Sequence, residues 1–251
     1  MFIDTHAHVY SEYYDDISSV LKESSVLGIS KVICSGVDHK TNVELLNLAE
    51  THENMYITLG IHPESVNNYT EEDLLFIEKH LDNRKTLAIG EIGLDYHYDG
   101  YDKEKQIKLF RKQLDLAQKY NMPVVIHSRE ATQDTIDILK QYNLKGVIHS
   151  FSGSVEVAQI YIGLGYKLGI NGVVTFKNAH IKEVVKSLGM NHFILETDSP
   201  YLTPEPLRGK KNFPGNIIHI ANFLSEYLDI SKEELSEITN ANIKSIFDKF
   251  I

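Results

Sequence analysis

The sequence predicts a (β/α)₈ barrel that forms a single domain over residues 1–251. Eight short apolar runs of strand type alternate with longer segments of helical spacing from one end of the chain to the other. The length of 251 residues also suits one barrel of this class, which typically needs about 250. The alternative is an open doubly wound sheet. No Gly-rich dinucleotide motif or P-loop follows the first strand, which disfavours it.

The predicted strands are short apolar runs bounded by polar or turn residues. They are Phe2–Val9, Lys31–Gly36, Met55–Ile61, Thr86–Ile92, Pro123–His127, Gly146–His149, Tyr166–Ile170 and His192–Glu196. Several of these runs end at a histidine or at a carboxylate, so the strand ends are where metal-binding chemistry is expected.

The predicted helices fill the intervals between these runs. They are Tyr14–Leu27, Asn42–Glu50, Glu71–Leu81, Lys103–Tyr120, Ala131–Tyr142, Val155–Leu164 and Ile181–Leu188. Thr70 is a plausible cap for the third helix, and Ser231 with Glu234 predicts a capping box near the end of the chain. The tail, Ile217–Ile251, is predicted to form two helices. Its apolar stripe is predicted to be a packing face and comprises Leu235, Ile238, Ile243, Ile246 and Phe247.

The composition is ordinary for a globular protein, with 42% hydrophobic and 24% charged residues. The one cysteine, Cys34, excludes an internal disulfide and a Cys-rich zinc site. A net charge of −10 argues against nucleic-acid binding over the whole surface, but it allows a local basic patch beside bound cations. No leader-like segment begins the chain and no apolar stretch reaches ~18 residues. We therefore expect a cytoplasmic protein without membrane association or an obligate protein partner.

Six residues of metal-ligand type occur where these runs end. His6 and His8 close the first run, and residues i and i+2 of a strand point to the same face, so their side chains would project together. The other four are Glu91, His127, His149 and Asp198. The carboxyl ends of barrel strands converge on one mouth. Two divalent cations there would neutralise the carboxylates and use the imidazole lone pairs. The alternative is a set of unrelated polar residues in the core and loops.

The motifs around these positions resemble those of the TatD family of metal-dependent hydrolases, within the amidohydrolase-like barrels. The resemblance covers nearly the whole chain, and its motifs are Ile3-Asp4-Thr5-His6-Ala7-His8, Gly60-Ile61-His62-Pro63, Gly90-Glu91-Ile92-Gly93-Leu94-Asp95-Tyr96, Pro123-Val124-Val125-Ile126-His127-Ser128-Arg129, His149-Ser150-Phe151-Ser152-Gly153, Glu196-Thr197-Asp198-Ser199-Pro200-Tyr201-Leu202 and Arg208-Gly209-Lys210-Lys211-Asn212. It implies a two-metal site and the hydrolysis of phosphoesters, commonly as a deoxyribonuclease.

The resemblance also implies how the ligands divide between the cations. One cation is held by His6, His8 and Asp198, the other by His127 and His149, and Glu91 bridges both. The chain departs from the family pattern at two places near the expected substrate. Glu64 and Ser65 follow His62-Pro63 where the family often has a second histidine, and Leu207 replaces the histidine that usually precedes Arg-Gly-Lys. The substrate is therefore less firmly implied than the reaction type.

Two residues have predicted catalytic roles. Two cations ~3.5–4 Å apart can clamp the attacking and leaving oxygens of an in-line displacement and acidify the attacking water. Asp198 is the expected general base, because it lies in a turn before Ser199-Pro200, where a carboxylate can contact both a cation and that water. Glu91 is expected to act as the bridge, since both of its oxygens would be committed to cations.

Three further residues are predicted to bind the substrate. His62 ends the third run, Arg129 follows His127 by two residues, and Arg208 lies with Lys210 and Lys211 in a Pro-rich loop after the eighth run. The alternative for Arg129 is a salt bridge at a helix start, and for the loop an ordinary solvated surface. Asp95 has two open interpretations, the orientation of a ligand histidine or a structural turn.

The leading functional prediction is a phosphodiesterase that acts on DNA with two divalent cations, either Mg²⁺, Mn²⁺ or Zn²⁺. An alternative keeps the same site but uses it as an ester or amide hydrolase, such as an aminoacyl-tRNA deacylase. A third interpretation is a non-catalytic metal-binding scaffold, which is disfavoured because a scaffold has no need of the proton acceptor Asp198. Since one barrel fold supports many functions, only the site can decide among these.

Overall fold

The computed structural model of the protein describes residues 1–250, and it confirms the predicted fold class. Eight strands form one sheet in chain order, and each hydrogen-bonded pair of neighbours is parallel. The strands are β1 Phe2–Ala7, β2 Ile29–Ser35, β3 Met55–Leu59, β4 Thr86–Asp95, β5 Val124–Arg129, β6 Gly146–Ile148, β7 Tyr166–Ile170 and β8 Phe193–Leu195.

Helices cover the outside of this sheet. They are α1 Ile17–Val26, α2 His39–Thr51, α3 Glu71–His80, α4 Lys103–Tyr120, α5 Thr132–Leu139, α6 Val155–Gly163, α7 Ile181–Leu188, α8 Ile217–Leu228 and α9 Lys232–Ile246. Asp73 accepts a hydrogen bond from the Thr70 backbone N–H at the start of α3 (2.7 Å), and Ser231 Oγ accepts one from the Glu234 N–H at the start of α9 (3.0 Å). Across residues 1–250, no helix combines the length and apolarity needed to cross a bilayer.

The core has two parts. The larger one lies between the strands and the surrounding helices. The smaller one fills the barrel near the amino ends of the strands, where Ile3, Val125 and Ile194 meet the end of α9. The predicted tail stripe is largely correct as a packing face: Leu235, Ile243, Ile246 and Phe247 are buried, while Ile238 is half-buried. The final residue of the predicted tail, Ile251, lies outside the described residues.

Two expected strand ends were wrong, and both concern site residues. Glu91 does not end its strand, because β4 continues to Asp95, and His127 likewise lies inside β5, which continues to Arg129. The extension is possible because Gly93 pairs with His127 and has no side chain: a Cβ there would lie 1.9 Å from the His127 carbonyl oxygen. The polar side chains Glu91 and His127 suggest strand ends in the sequence, whereas the backbone ladder continues past both of them.

Irregularities in the sheet register coincide with two of the site residues. The β1–β2 register shifts between Asp4 and Ala7, a span that contains His6. The β4–β5 register shifts between Ile89 and Ile92, a span that contains Glu91. Such bulges change the face to which the next side chains point. They allow apolar side chains to fill the amino end of the barrel while polar ones enter its mouth.

Asp4 joins β1 to the chain that follows β8. Its Oδ1 accepts hydrogen bonds from the Thr197 N–H (2.9 Å) and the His6 N–H (3.2 Å), and its Oδ2 lies 2.5 Å from Thr197 Oγ1. Two backbone hydrogen bonds also join these segments, from the Asp198 N–H to the His6 carbonyl (2.9 Å) and from the His8 N–H to the Ser199 carbonyl (2.7 Å). We call this line of contacts between β1 and the segment after β8 the seam. The seam therefore brings Asp198 beside His6 and His8. Burial raises the pKa of Asp4 well above its usual range, against the opposing hydrogen bonds from Thr197.

We expect Asp4→Asn to fold normally and Asp4→Ala to be destabilised. The asparagine keeps an acceptor for both N–H groups, whereas alanine leaves them unpaired at roughly 1–3 kcal/mol for each buried group. Because the pKa of Asp4 is raised in the folded state, wild-type stability falls as pH rises through that pKa, and Asp4→Asn lacks this loss. Urea unfolding of the chelator-treated proteins across a pH series measures their free energies of unfolding. The difference between Asp4→Asn and the wild type should grow in favour of Asp4→Asn as pH rises. A pH-independent difference would contradict this role of Asp4.

Candidate metal centre

The six ligand-type residues predicted from the sequence lie together at the carboxyl end of the barrel. His6, Glu91 and His127 belong to β1, β4 and β5, while His8, His149 and Asp198 directly follow β1, β6 and β8 or lie a few residues beyond. All six are linked by a chain of short contacts between nitrogen and oxygen atoms. Strands that are far apart in sequence therefore bring their polar side chains together at the carboxyl end of the barrel.

Glu91 is the centre of this arrangement. Its Oε2 lies 3.2 Å from His6 Nε2 and 3.6 Å from His8 Nε2. Its Oε1 lies 2.8 Å from His127 Nδ1 and 3.2 Å from His149 Nε2. The two carboxylate oxygens thus face separate groups of imidazoles, His6 and His8 on Oε2 and at least His127 and His149 on Oε1. This geometry suits a carboxylate that connects two cation positions.

The first position is bordered by His6, His8 and Asp198. The Nε2 atoms of the two histidines are 3.3 Å apart. Asp198 Oδ1 lies 3.7 Å from His6 Nε2 and 3.4 Å from His8 Nε2. Lone pairs of two imidazoles and a carboxylate oxygen therefore converge on one small space, which a divalent cation would fill.

The second position includes a residue that the sequence assigned to substrate binding. His62 Nε2 lies 3.6 Å from Glu91 Oε1, and the His62 ring is 4.4 Å from the His127 ring between centroids. His62, Glu91 and His127 each offer a donor atom within 4.8 Å of the others. A second compact set is formed by His6, His149 and Asp198, and a third by His6, His8 and Glu91. His62 is therefore a candidate ligand as well as a candidate substrate contact.

The outward nitrogens of His6, His8 and His127 have hydrogen-bond partners, whereas that of His149 only lies close to a carboxylate. His6 Nδ1 lies 3.1 Å from Ser35 Oγ, and His8 Nδ1 lies 3.2 Å from the Ser35 carbonyl. His127 Nε2 lies 2.9 Å from Asp95 Oδ2, which favours the orienting interpretation of Asp95. His149 Nδ1 lies 3.3 Å from Glu196 Oε1. Partners of this kind fix the ring orientation of metal-binding histidines.

Ser35 and Glu196 were missed by the sequence reasoning. Glu196 belongs to a motif quoted for the resemblance, and that motif was the available signal; Ser35 has no local signal. The Glu196 side chain is fully buried, and its Oε1 accepts a hydrogen bond from the Ser150 N–H (2.6 Å). It occupies space left by Gly169, where a Cβ would lie 2.1 Å from Glu196 Oε2. Within residues 1–250, Oε2 has no hydrogen-bond partner.

Opposite charges control protonation in this cluster. Burial alone would raise the pKa of Glu91, but attraction to His149 and other imidazoles holds it well below the usual range. Burial alone would lower the pKa of His149, yet attraction to Glu91 and Glu196 raises it well above its ordinary value. The pKa of His62 is lowered to about 3 by burial and by repulsion from His127. His62 is therefore a neutral imidazole at ordinary pH.

These residues fit a divalent-cation centre. Buried carboxylates are costly unless positive charge compensates them, and Glu91, Glu196 and Asp198 share one buried mouth. The unpartnered Oε2 of Glu196 is a further sign of uncompensated negative charge. The donors are imidazole nitrogens and carboxylate oxygens, a set that suits Zn²⁺ or Mn²⁺ and, for the carboxylates, Mg²⁺.

The loop that carries Asp198 is held by Asn212, the last residue of a sequence motif. The buried Asn212 side chain donates to the carbonyls of Thr197 (3.1 Å) and Tyr201 (2.6 Å), one on each side of Asp198. Asp198 itself has a φ of 55°, in the left-handed region. A non-glycine residue keeps that conformation when its surroundings determine it, and such residues concentrate at functional sites.

The two arginines predicted to bind substrate lie farther out. Arg129 is exposed and its guanidinium carbon lies 5.4 Å from the centroid of the Tyr98 ring. No salt bridge involving Arg129 occurs among residues 1–250, so the alternative interpretation of a structural ion pair lacks a partner there. Arg208 is also exposed, and its guanidinium carbon lies 4.4 Å from the Phe176 ring centroid. Neither arginine side chain enters the buried cluster: Arg129 ends β5 and Arg208 lies in the loop after β8, both as exposed residues.

Comparison with known proteins identifies close relatives over the whole length. Residues 3–248 match a family model described as TatD related DNase. YabD of Bacillus subtilis (strain 168), described as an uncharacterized metal-dependent hydrolase, is 38% identical over 252 residues, which cover 98% of this chain and 99% of that one. The crystal structure of YjjV, a TatD homologue from Escherichia coli K12, has a TM-score of 0.93 at 30% identity and covers 98% of both chains. A TatD family hydrolase from Entamoeba histolytica has a TM-score of 0.86 at 29% identity, covering 99% of this chain and 98% of that one.

We expect the purified protein to bind about two divalent cations per chain, as two-metal centres do. His6→Ala and His127→Ala should each lose about one of them, because the two rings face different oxygens of Glu91. His39→Ala is the matched control, since the side chain of His39 is 52% exposed and pairs with Asp73 on the surface. Elemental analysis after dialysis against excess Mn²⁺ or Zn²⁺ measures the content. A wild-type metal content in both His6→Ala and His127→Ala would contradict the assignment of these histidines to two separate cation positions.

Proposed function

Because the chain belongs to the TatD-related DNase family of metal-dependent hydrolases, we propose that it hydrolyses phosphodiester bonds in DNA with two divalent cations. The resemblance drawn from the motifs is confirmed by that membership. The observation that carries the proposal is the position of Glu91, whose two oxygens face separate groups of imidazoles, two on Oε2 and three on Oε1. A centre of this kind suits displacement at phosphorus, where attacking and leaving oxygens both need stabilisation.

Bound cations would supply the Lewis acidity that polarises the phosphoryl group and acidifies the attacking water. The chain's own residues do the remaining work. Glu91 is almost fully buried, with a side chain only 3% exposed, which suits a fixed connection between cation positions. Its histidine neighbours are held by Ser35 and Asp95 on their outer sides, so the site is organised before substrate arrives.

Asp198 is the proposed general base. Its side chain is 14% exposed, so it can meet a water molecule that the more deeply buried Glu91 cannot reach. Attraction to His149 and a hydrogen bond to His8 hold the pKa of Asp198 below its usual range, although burial opposes them. The carboxylate is therefore ionised at neutral pH. With Oδ1 directed at His6 and His8, Oδ2 is the oxygen that would accept the proton.

Two exposed arginine side chains provide the proposed phosphate contacts. Arg129 lies beyond His127 on the same strand, and Arg208 lies in the loop that follows Asp198. The overall charge of −10 makes these local cations important, because the rest of the surface would repel DNA. Binding should therefore depend on a few contacts near the centre rather than on a long basic tract.

A substrate panel tests the proposed activity. The metal-loaded protein is assayed on single-stranded DNA, duplex DNA, RNA, aminoacyl-tRNA and bis(p-nitrophenyl) phosphate, with chelator-treated protein as the blank. Cation-dependent cleavage of DNA and of the small diester is expected. Turnover of aminoacyl-tRNA without any phosphodiester cleavage would instead support the deacylase alternative, which uses the same site. Metal binding without turnover of any substrate would support a scaffold.

We expect Asp198→Asn to lower kcat far more than it lowers metal binding. Asparagine keeps the size and one oxygen donor, but it cannot accept the proton, and loss of a general base commonly lowers the rate by ~10²–10⁴. The loss should appear in kcat at saturating substrate, because proton transfer belongs to the transition state. Metal content is measured in the same samples. A variant with full metal content and near-normal kcat would show that Asp198 serves only as a ligand.

A further inference from the structure

Two exposed tyrosines lie near the metal centre, one connected to His8 and the other, through intervening residues, to His127. Tyr201 is 50% exposed and lies in the loop after Asp198, and Tyr98 is 55% exposed and lies in the loop between β4 and α4. Both loops follow the carboxyl ends of strands, where barrel enzymes bind their substrates. Because both rings are exposed and belong to loops at this end of the barrel, they are candidates for ligand contact.

Tyr201 adjoins the first cation position. Its ring centroid lies 6.2 Å from that of His8, and its backbone N–H donates to the Asp198 carbonyl (2.9 Å). Its hydroxyl lies 2.7 Å from the Tyr13 hydroxyl, which fixes the ring while leaving much of it in solvent. Lys211 bonds to the Tyr13 backbone carbonyl and its Nζ lies 4.4 Å from the centroid of the Tyr14 ring, so a cation is held in the segment that contacts Tyr201.

Tyr98 adjoins the second cation position through a chain of contacts. His127 contacts Asp95, Asp95 Oδ1 accepts a hydrogen bond from the His97 N–H (2.9 Å), and the His97 ring lies 5.1 Å from the Tyr98 ring. The Arg129 guanidinium lies close to the Tyr98 ring and is thereby oriented. An aromatic ring and an oriented cation thus occur together on this side as well.

We propose that Tyr201 and Tyr98 are stacking subsites for the two nucleobases that flank the scissile phosphodiester. The inference rests on the proposed phosphodiesterase function and adds the part of the substrate that is recognised. A base has a flat π-face that stacks on an aromatic ring, and the phosphate beside it is anionic, so a ring paired with a cation matches one nucleotide. One such pair on each side of the centre matches a dinucleotide whose linking phosphate lies between them.

Two small diesters test the inference. One is the phosphodiester of two thymidines, and the other joins the same two deoxyribose units without bases. Wild-type kcat/KM should be higher for the thymidine diester, by about tenfold for each stacked base. Tyr98→Ala and Tyr201→Ala should each lower that ratio by about tenfold, through the KM of the thymidine diester, with metal content at the wild-type value. Because the Tyr98 ring orients Arg129, Tyr98→Ala should also slow the base-free diester, so the ratio between the two diesters is the readout. Tyr98→Phe and Tyr201→Phe keep the ring and should keep the ratio.

Tyr120→Ala is the matched control, because Tyr120 is 42% exposed but lies at the last residue of α4, away from the mouth. Equal hydrolysis of both diesters by the wild type would overturn the stacking inference and leave the proposed function standing. The stacking inference would also be overturned, with the proposed function left standing, if the alanine variants kept the wild-type ratio of kcat/KM between the two diesters, which includes slowing both diesters equally. Failure of the wild type to cleave either diester or any DNA would overturn the proposed function, and the stacking inference with it.

Discussion

The structure depends on the burial of several carboxylates among imidazoles at one end of a barrel. In a medium of low polarity such a cluster is unstable unless each negative charge meets a compensating positive one. Glu91 meets imidazoles on both of its oxygens, and His6, His8 and His127 are held on their outer sides by a serine hydroxyl, a backbone carbonyl and a carboxylate, respectively. The surrounding residues hold the donors at a spacing at which cations, rather than protons alone, would supply the missing charge.

The barrel accommodates this buried polar cluster because its strands pack apolar side chains at one end and carry the polar side chains at the other. Near the amino ends, apolar side chains such as Ile3 and Val125 fill the interior and are covered by α9. Near the carboxyl ends, the register shifts in β1 and β4 turn His6 and Glu91 toward the mouth. Stability is concentrated at one end and chemistry at the other, so the irregular backbone of the site is supported by a regular core.

Much of this could be predicted from local sequence, and the failures share a cause. Alternating strand and helix patterns predicted the barrel, and ligand-type residues at the ends of apolar runs predicted which side chains meet. The patterns placed Glu91 at the end of a strand because they follow side-chain polarity, whereas β4 continues through Gly93 by pairing with β5. Ser35 and Glu196 act on histidines that are distant in sequence, and the position of Arg129 over Tyr98 joins the end of β5 to the loop after β4. Contacts of that kind leave no local periodicity.

The seam between β1 and the segment after β8 has a consequence for folding thermodynamics. His6 and His8 lie on one side of it and Asp198 on the other, 190 or more residues away in the sequence (198 − 8 = 190). A cation bound by all three residues could be bound only when the barrel is closed, because only then do the three side chains lie together. Its binding free energy would then add to the stability of the closed form in proportion to the logarithm of its concentration. Divalent-ion supply would therefore govern how often the seam opens, and with it the exposure of the first strand to proteases.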